Sequence, residues 1–378
     1  MEQIFSTFRS FDPSMATVLK NLGPAVPVLG LALLLCAVLC WIAMPLSRVL
    51  GMMKEPHRER DIHARPIPML GGVALYLAFA GAVLLLVPPS GQRSAVLALC
   101  GAACLLFLLD DRFDLPAPVK FVGQIAIAVA AVLGFVFDST FQITFFSLPM
   151  VGLVHTGWLA IPLSLFWLVG MQNTINLIDG VDGLAGGVVA IVALTLMLAA
   201  ASIGQHEVVL LAAALAGACG GFLLFNFNPA RIFMGDSGAH FLGLALGLLS
   251  IMGVAKVAVA FALAIPVLAL AIPIADTGWS LVRRRLAGVS VGRGDTNHLH
   301  HRLRDIGLSQ RETCLVFYGA AGILGAVGLT VLGHRKILAV AIILMVVLLS
   351  TALADRMQAT GRRIGPSVRT LLEKRGLR

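Results

Sequence analysis

The run LAGGVVAIVALTLMLAAASI, from Leu184 to Ile203, carries no charged side chain over twenty residues. At about 1.5 Å per residue it reaches ~30 Å as a helix, the hydrocarbon thickness of a bilayer. It therefore reads as a membrane span. Outward from it the same reading repeats. Apolar windows run from Val26 to Met44, Leu70 to Val87, Ser94 to Leu109, Phe121 to Phe137, Gly157 to Met171, Val208 to Phe225, Phe241 to Val254, Val257 to Leu281, Cys314 to Leu332 and Ile337 to Ala354. Together these predict an all-α integral membrane protein, a polytopic bundle of about 11 transmembrane helices forming one domain over residues 1–378. Pro162, Pro266 and Pro273 interrupt some windows, which helix bundles in lipid tolerate when neighbours satisfy the freed backbone groups. The first window is read as a retained helix, because Trp41, Pro45 and Arg48 follow it where a signal peptide would show small residues.

Composition agrees. Of 378 residues, 58% are hydrophobic and 12% charged, against roughly 45–50% and 25% in soluble domains. Mean hydropathy is +0.94 over the whole chain, so the apolar excess is not one anchor on a polar body. A soluble globular protein is excluded. The six cysteines, Cys36, Cys40, Cys100, Cys104, Cys219 and Cys314, lie in or at the ends of apolar windows, with no disulfide or zinc spacing, and read as small packing residues. The net charge of +9 would suggest nucleic acid in a soluble protein. Here its distribution across the membrane matters more, and no nucleic-acid partner is expected.

Eleven crossings put the termini on opposite sides, and basic residues favour the cytoplasm. Alternate connections hold 22 Lys and Arg on one side and 6 on the other. The richer side is expected inside. That places the segment 1–25 outside, and a basic, histidine-bearing loop over 283–312 and a basic tail over 355–378 in the cytoplasm. Nearly every polar cluster falls on the inner side too, whereas Pro88 to Arg93 and Gly204 to Glu207 are short and bland. Asp276 is the exception, lying inside a window near Arg283 to Arg285, where an ion pair and a functional acid are both open readings.

Five inward segments carry the chemistry. The first is Leu108-Leu-Asp110-Asp111-Arg-Phe-Asp114. Adjacent carboxylates at a helix C-terminus oppose the helix dipole and repel each other, so a cation is expected beside them: Mg²⁺, or simply Arg112. The second, Asn173-Thr-Ile-Asn176-Leu-Ile-Asp179-Gly-Val-Asp182-Gly183, places oxygen-bearing residues three apart with glycines between. A helix ending in a folded loop suits that spacing, offering oxygen ligands to a hard cation and a backbone able to approach phosphate; a turn with Asp182 as N-cap is the plainer alternative. The third, Phe225-Asn226-Phe-Asn228-Pro-Ala-Arg231-Ile-Phe-Met-Gly235-Asp236-Ser-Gly-Ala-His240, allows Asp236 to be merely a helix cap, a reading that weakens beside two other acidic loops on the same face.

The fourth segment holds Arg293, His298, His300, His301 and Arg302. Without Cys or Glu to complete a metal site, and with arginines that repel cations, it reads as an anion clamp with a histidine able to exchange a proton, or as a basic loop on the membrane surface. The fifth, His63-Ala-Arg65-Pro66-Ile-Pro68-Met-Leu-Gly71-Gly72, stiffens the entry to a helix whose glycines let another backbone or a ligand come close.

In this order, across Lys54 to Leu303, the five segments resemble the polyprenyl-phosphate N-acetylhexosamine-1-phosphate transferase family. Pro-Ile-Pro-Met-Leu-Gly-Gly and His298-x-His-His-Arg-Leu are similar to the bacterial undecaprenyl-phosphate N-acetylglucosamine-1-phosphate transferases that begin O-antigen, lipopolysaccharide or cell-wall polymer synthesis. The sister branch that transfers phospho-MurNAc-pentapeptide is the main alternative. The resemblance implies a UDP-N-acetylhexosamine donor, an undecaprenyl phosphate acceptor, release of UMP, a site at the cytoplasmic face of the inner membrane, and a homodimer. It also implies Mg²⁺, with Mn²⁺ as the alternative, held by Asp236, Asp111, Asn176 and Asp179. Catalytic roles would fall to Asp110, Asp111, His298, His300 and His301. Substrate would meet His63, Arg65, Lys120, Asn173, Asn176, Asp179, Asp182, Arg293 and Arg302. Asp110 or Asp111 would take the proton of the lipid phosphate, or attack first and form a covalent intermediate.

Two other classes compete. A phospholipid transporter or flippase predicts ionisable residues along a membrane path and internal repeats, and only Asp276 qualifies. A CDP-alcohol phosphotransferase needs an Arg that Asp179-Gly-Val-Asp182-Gly-Leu-Ala185-Gly186 lacks.

Overall fold

The computed structural model describes residues 15–55, 66–148, 152–253 and 309–330. In chain order they form α1 (Met15–Leu22), α2 (Ala25–Val49), β1 (Met53–Lys54), β2 (Ile67–Pro68), α3 (Gly71–Leu86), α4 (Gly91–Phe113), α5 (Ala117–Val132), β3 (Phe145–Leu148), β4 (Gly152–His155), a 3-10 turn (Gly157–Leu159), α6 (Ala160–Ile178), α7 (Leu184–Ser202), α8 (His206–Asn226), α9 (Gly235–Met252) and α10 (Gln310–Thr330). Each apolar window within the described residues carries a helix. The windows Val257 to Leu281 and Ile337 to Ala354 lie outside them. Among the described residues, 6 helices are long and apolar enough to cross a membrane; α3 and α5 are shorter at 16 residues each. To the helices the chain adds two short antiparallel pairs, β1 with β2 and β3 with β4.

The bundle is organised around α8, which packs against α2, α7 and α3. Its contact with α2 depends on Gly217 and Gly221, one turn apart. A Cβ on Gly217 would stand 2.2 Å from the Leu29 carbonyl oxygen, and one on Gly221 2.3 Å from that of Leu33. Lipid supplies no hydrophobic force between helices, so such small-residue seams let backbones approach and gain dispersion contacts. The outer faces are apolar in turn: Leu34, Val38 and Trp41 of α2, Leu85 of α3, Leu105 of α4 and Phe166 of α6 are exposed. All six cysteines are free and buried, as packing residues should be.

Up-and-down alternation gathers at one end the C-termini of α2, α4, α6 and α8 and the N-termini of α3, α5, α7 and α9. At the opposite end the Ser90 hydroxyl donates to Glu207, and Asn21 donates to the Ala201 carbonyl at 2.7 Å. Those contacts close short connections. Among the described residues, Asp110, Asp111, Lys120, Asn176, Asp179, Asp182 and Asp236 sit at the first end.

Candidate active site

The Pro-Ile-Pro-Met-Leu-Gly-Gly segment builds the floor. The Phe233 N–H donates to the Pro68 carbonyl at 2.8 Å, and the Gly71 N–H donates back to the Phe233 carbonyl at 3.0 Å. Cβ atoms on Gly71 and Gly72 would fall 2.4 Å from the Phe233 carbonyl oxygen and 2.3 Å from the Gly238 nitrogen. What comes close to these glycines is therefore another backbone, the entry of α9. This seats Asp236, in the first turn of α9, against the end of α4.

There the paired carboxylates divide. Asp110 Oδ1 accepts the Leu115 N–H at 2.8 Å, while Oδ2 lies 2.7 Å from Lys120 Nζ. Lys120 also stands 3.7 Å from Asp236 Oδ2 and 4.0 Å from exposed Asp114. The cation expected beside the pair is thus Lys120 of α5. Arg112 instead lies over the Phe113 ring, 5.7 Å from its centre. Asp111 faces the other way. Its Oδ1 accepts the Asp236 N–H at 2.8 Å and its Oδ2 the Ser237 N–H at 3.1 Å.

The third side comes from α6, which continues past its apolar run to Ile178. Asn176 Nδ2 donates to Asp236 Oδ1 at 3.0 Å. Asn173, one turn earlier, exchanges hydrogen bonds with Gln124 of α5 and tethers the two helices. Asp179 closes α6 as its C-cap. Burial pushes its carboxyl well above the usual carboxylate range; Asp236, Asp111 and Asp182 push it further, and Lys54 of β1 pulls it back.

Asp182 has a different environment. It is buried, and its Oδ2 accepts both Asn228 Nδ2 at 3.1 Å and the Ala230 N–H at 3.0 Å. Gly183, rather than Asp182, is the N-cap of α7, and its N–H donates to Asn226 Oδ1 at 2.9 Å. The Tyr318 hydroxyl of α10 donates to the Gly183 carbonyl at 2.5 Å, and Arg311 Nε donates to the Asn228 carbonyl at 2.8 Å. Asp182 is the knot that ties the Asp179–Gly183 loop to the loop after α8.

Asp110, Asp111, Lys120, Asn176, Asp179 and Asp236 therefore meet at one end of the bundle, with Asn173 and Asp182 bracing them. His63, Arg65, Arg293, His298, His300, His301 and Arg302 lie outside the described residues, as does Asp276. Sequence reading quoted Asn226, Asn228 and His240 in the third segment without giving them a role, and it missed Gln124. His240 is buried and stacked on Phe107 with ring centroids 3.4 Å apart, and its Nδ1 is 2.9 Å from the Asp236 carbonyl oxygen. Its place in Gly-Asp-Ser-Gly-Ala-His was the available signal. Among the described residues, no three His, Cys, Asp or Glu side chains group closely enough to cage a metal by themselves.

Helices of membrane length, with carboxylates, a lysine and a carboxamide converging at one end, define a multi-pass membrane protein with a charged site at its helix ends. Comparison makes this specific. Residues 93–254 match the model of glycosyl transferase family 4. The chain is 36% identical over 271 residues to the Bacillus subtilis (strain 168) protein named "Probable undecaprenyl-phosphate N-acetylglucosaminyl 1-phosphate transferase", covering 71% of this chain and 74% of that one. It is 35% identical to the decaprenyl-phosphate N-acetylglucosaminephosphotransferase of Mycolicibacterium smegmatis, over 83% of this chain and 85% of the relative. Against the phospho-N-acetylmuramoyl-pentapeptide-transferase of Moorella thermoacetica it is 34% identical, over 70% and 84%. The chain belongs to the polyprenyl-phosphate N-acetylhexosamine-1-phosphate transferase family.

Proposed function

We propose that this enzyme transfers a sugar 1-phosphate, GlcNAc-1-phosphate, from a UDP-N-acetylhexosamine to undecaprenyl phosphate and releases UMP. The step would open synthesis of a bacterial surface polysaccharide at the cytoplasmic face of the inner membrane, with the N-terminus outside. The observation that carries this reading is Lys120 lying between Asp110 and Asp236, at 2.7 and 3.7 Å. A cation shared by two acids can pass to an arriving phosphate and leave a carboxylate ready to receive a proton.

An oxygen of the lipid phosphate attacks the donor phosphorus that bears the sugar, and the bond from that phosphorus to the UMP oxygen breaks. Two anions must approach each other, so positioning and charge stabilisation supply most of the catalysis. Asp110 accepts the lipid-phosphate proton in a one-step route; in a two-step route it attacks that phosphorus first, expelling UMP, and the lipid phosphate then displaces the Asp110 carboxylate. Lys120 steadies the phosphate oxygens. The basic segment with Arg293, His298, His300, His301 and Arg302 is proposed to hold the diphosphate, and His63 and Arg65 to meet the substrate.

The donor set suits Mg²⁺. Asp236 and Asn176 are hydrogen-bonded at 3.0 Å, which leaves the Asn176 carboxamide oxygen near the same carboxylate. Asp179 sits under the repulsion of neighbouring acids. One or two carboxylates with substrate phosphates and water are what Mg²⁺ ordinarily takes, so no cage of three acids is required. Bound there, Mg²⁺ would neutralise the phosphate oxygens. The long acceptor tail stays in lipid while its phosphate reaches the helix ends, where the soluble donor can meet it.

Purified enzyme in detergent with undecaprenyl phosphate, Mg²⁺ and UDP-GlcNAc should release UMP. A panel including UDP-MurNAc-pentapeptide separates the two branches of the family. No release with any UDP-amino sugar would overturn the proposal.

A further inference from the structure

We infer that Asp111 is a positioning residue: its carboxylate fixes the place of Asp236 by binding two backbone amides, and Asp110 alone of the pair faces the reaction. This deepens the reading above and rests on it.

The first amides of a helix have no partner within it. In α9 the N-cap, Met234, offers no side-chain hydrogen bond. Asp111 supplies the missing acceptor from another helix, 125 positions away, with one oxygen on the Asp236 N–H and the other on the Ser237 N–H. A carboxylate at a helix N-terminus gains both charge-assisted hydrogen bonds and the favourable end of the dipole. Gly235 makes the seat. It adopts φ +66°, and a Cβ there would lie 2.5 Å from Asp111 Oδ2.

A second brace lies deeper. Phe107 precedes Asp110 and Asp111 by about one turn of α4, and His240 follows Asp236 by about one turn of α9. Their rings stack at 3.4 Å with an 8° interplanar angle, while His240 Nδ1 meets the Asp236 carbonyl at 2.9 Å. Helices α4 and α9 are thus pinned at two levels around Asp236. Asp110 differs in kind. One of its partners is a lysine side chain, which can transfer to a phosphate, whereas Asp111 is held by two backbone amides that cannot leave without unwinding α9, together with the Ser237 side chain.

The test compares D111N, D110N and H240F in the full-length enzyme. An asparagine at 111 keeps one acceptor but turns an NH₂ toward the second amide. In metal-free, substrate-free protein, hydrogen–deuterium exchange over the 233–240 peptide should accelerate about tenfold in D111N and stay as wild type in D110N. Mn²⁺ binding followed by electron paramagnetic resonance should weaken about tenfold in D111N and less in H240F. Raising Mn²⁺ should restore UMP release in D111N at least tenfold as the metal site refills, whereas D110N should stay at least a hundredfold below wild type with its metal bound. Unchanged exchange in D111N overturns the inference, as does a hundredfold loss of its kcat with metal binding intact. If D111N is not recovered folded, G235A carries the same test, since its methyl displaces the carboxylate while every acid remains. Failure of wild type to release UMP would remove the proposed reaction, and the exchange result would still judge the capping role.

Discussion

Replacing Lys120 with methionine removes a charge and keeps most of the apolar stem. The pair with Asp114, 4.0 Å apart with a fully exposed acid, should contribute almost nothing. The pair with Asp110 differs because its acid side chain is only 3% exposed while the lysine is 27% exposed. At 2.7 Å and an effective dielectric near 20, the gross attraction is about 6 kcal/mol before desolvation is charged against it. Stripping the partner from a fully buried carboxylate costs about 3–5 kcal/mol. Here water reaches the lysine and the Leu115 amide still serves Asp110, so the expected loss is about 1–2 kcal/mol. Function should suffer more than stability, with kcat/KM falling about a hundredfold as the phosphate loses its cation. Thermal melting in detergent reads the first quantity and UMP release the second. A K120M enzyme with wild-type turnover would refute the placement of Lys120 at the phosphate, and one with a wild-type melt would refute its pairing with Asp110.

Three further outcomes follow from other contacts. Asp236→Asn should abolish turnover in a protein that still folds; wild-type rates in saturating Mg²⁺ would remove Asp236 as the proposed metal ligand. Asp179 binds its proton more tightly folded than unfolded, so its contribution to stability is lost as pH rises from the ordinary carboxylate range towards the raised folded value. Asp179→Asn should therefore melt higher than wild type in metal-free buffer at neutral pH, converge with it in acid, and lose activity; equal melts at both pH values would contradict the burial argument. Gly221→Leu drives a side chain into the Leu33 carbonyl, already 2.3 Å from a Cβ, and should cost about 3 kcal/mol or more, seen as aggregation in size-exclusion chromatography. A monodisperse, active variant would show that α2 and α8 can separate freely.

Apolar runs revealed where the helices are because lipid demands them; they concealed where the helices end. The run before Asn173 stops near Met171, yet α6 continues to Ile178, and α9 starts at Gly235 rather than Phe241. In both places the backbone stays helical while side chains turn polar, and that mismatch marks the site. The two-residue strands β1 and β2 are too short to show alternation. Lys120 could be matched to a phosphate by resemblance, but its pairing with Asp110 instead of Arg112 depends on how α5 folds back over α4. His240 was visible as part of Gly-Asp-Ser-Gly-Ala-His, but its stacking was not, since that depends on a ring contributed by another helix.

The two aspartates at the end of α4 show why adjacency in sequence need not mean shared chemistry. Successive residues on a helix point about 100° apart, so one end of α4 can address two neighbours. Asp110 turns to α5 and its lysine; Asp111 turns to α9 and its unpaired amides. Within the protein each carboxylate has its own compensation: Asp110 is offset by an ammonium and Asp111 by a helix terminus. Each compensation also places a group of the candidate site, Lys120 in the first case and Asp236 in the second. Reversing the pair's chemistry by mutation should thus reveal two separable functions, charge transfer at Asp110 and geometry at Asp111, in a motif that reads as a single acidic site.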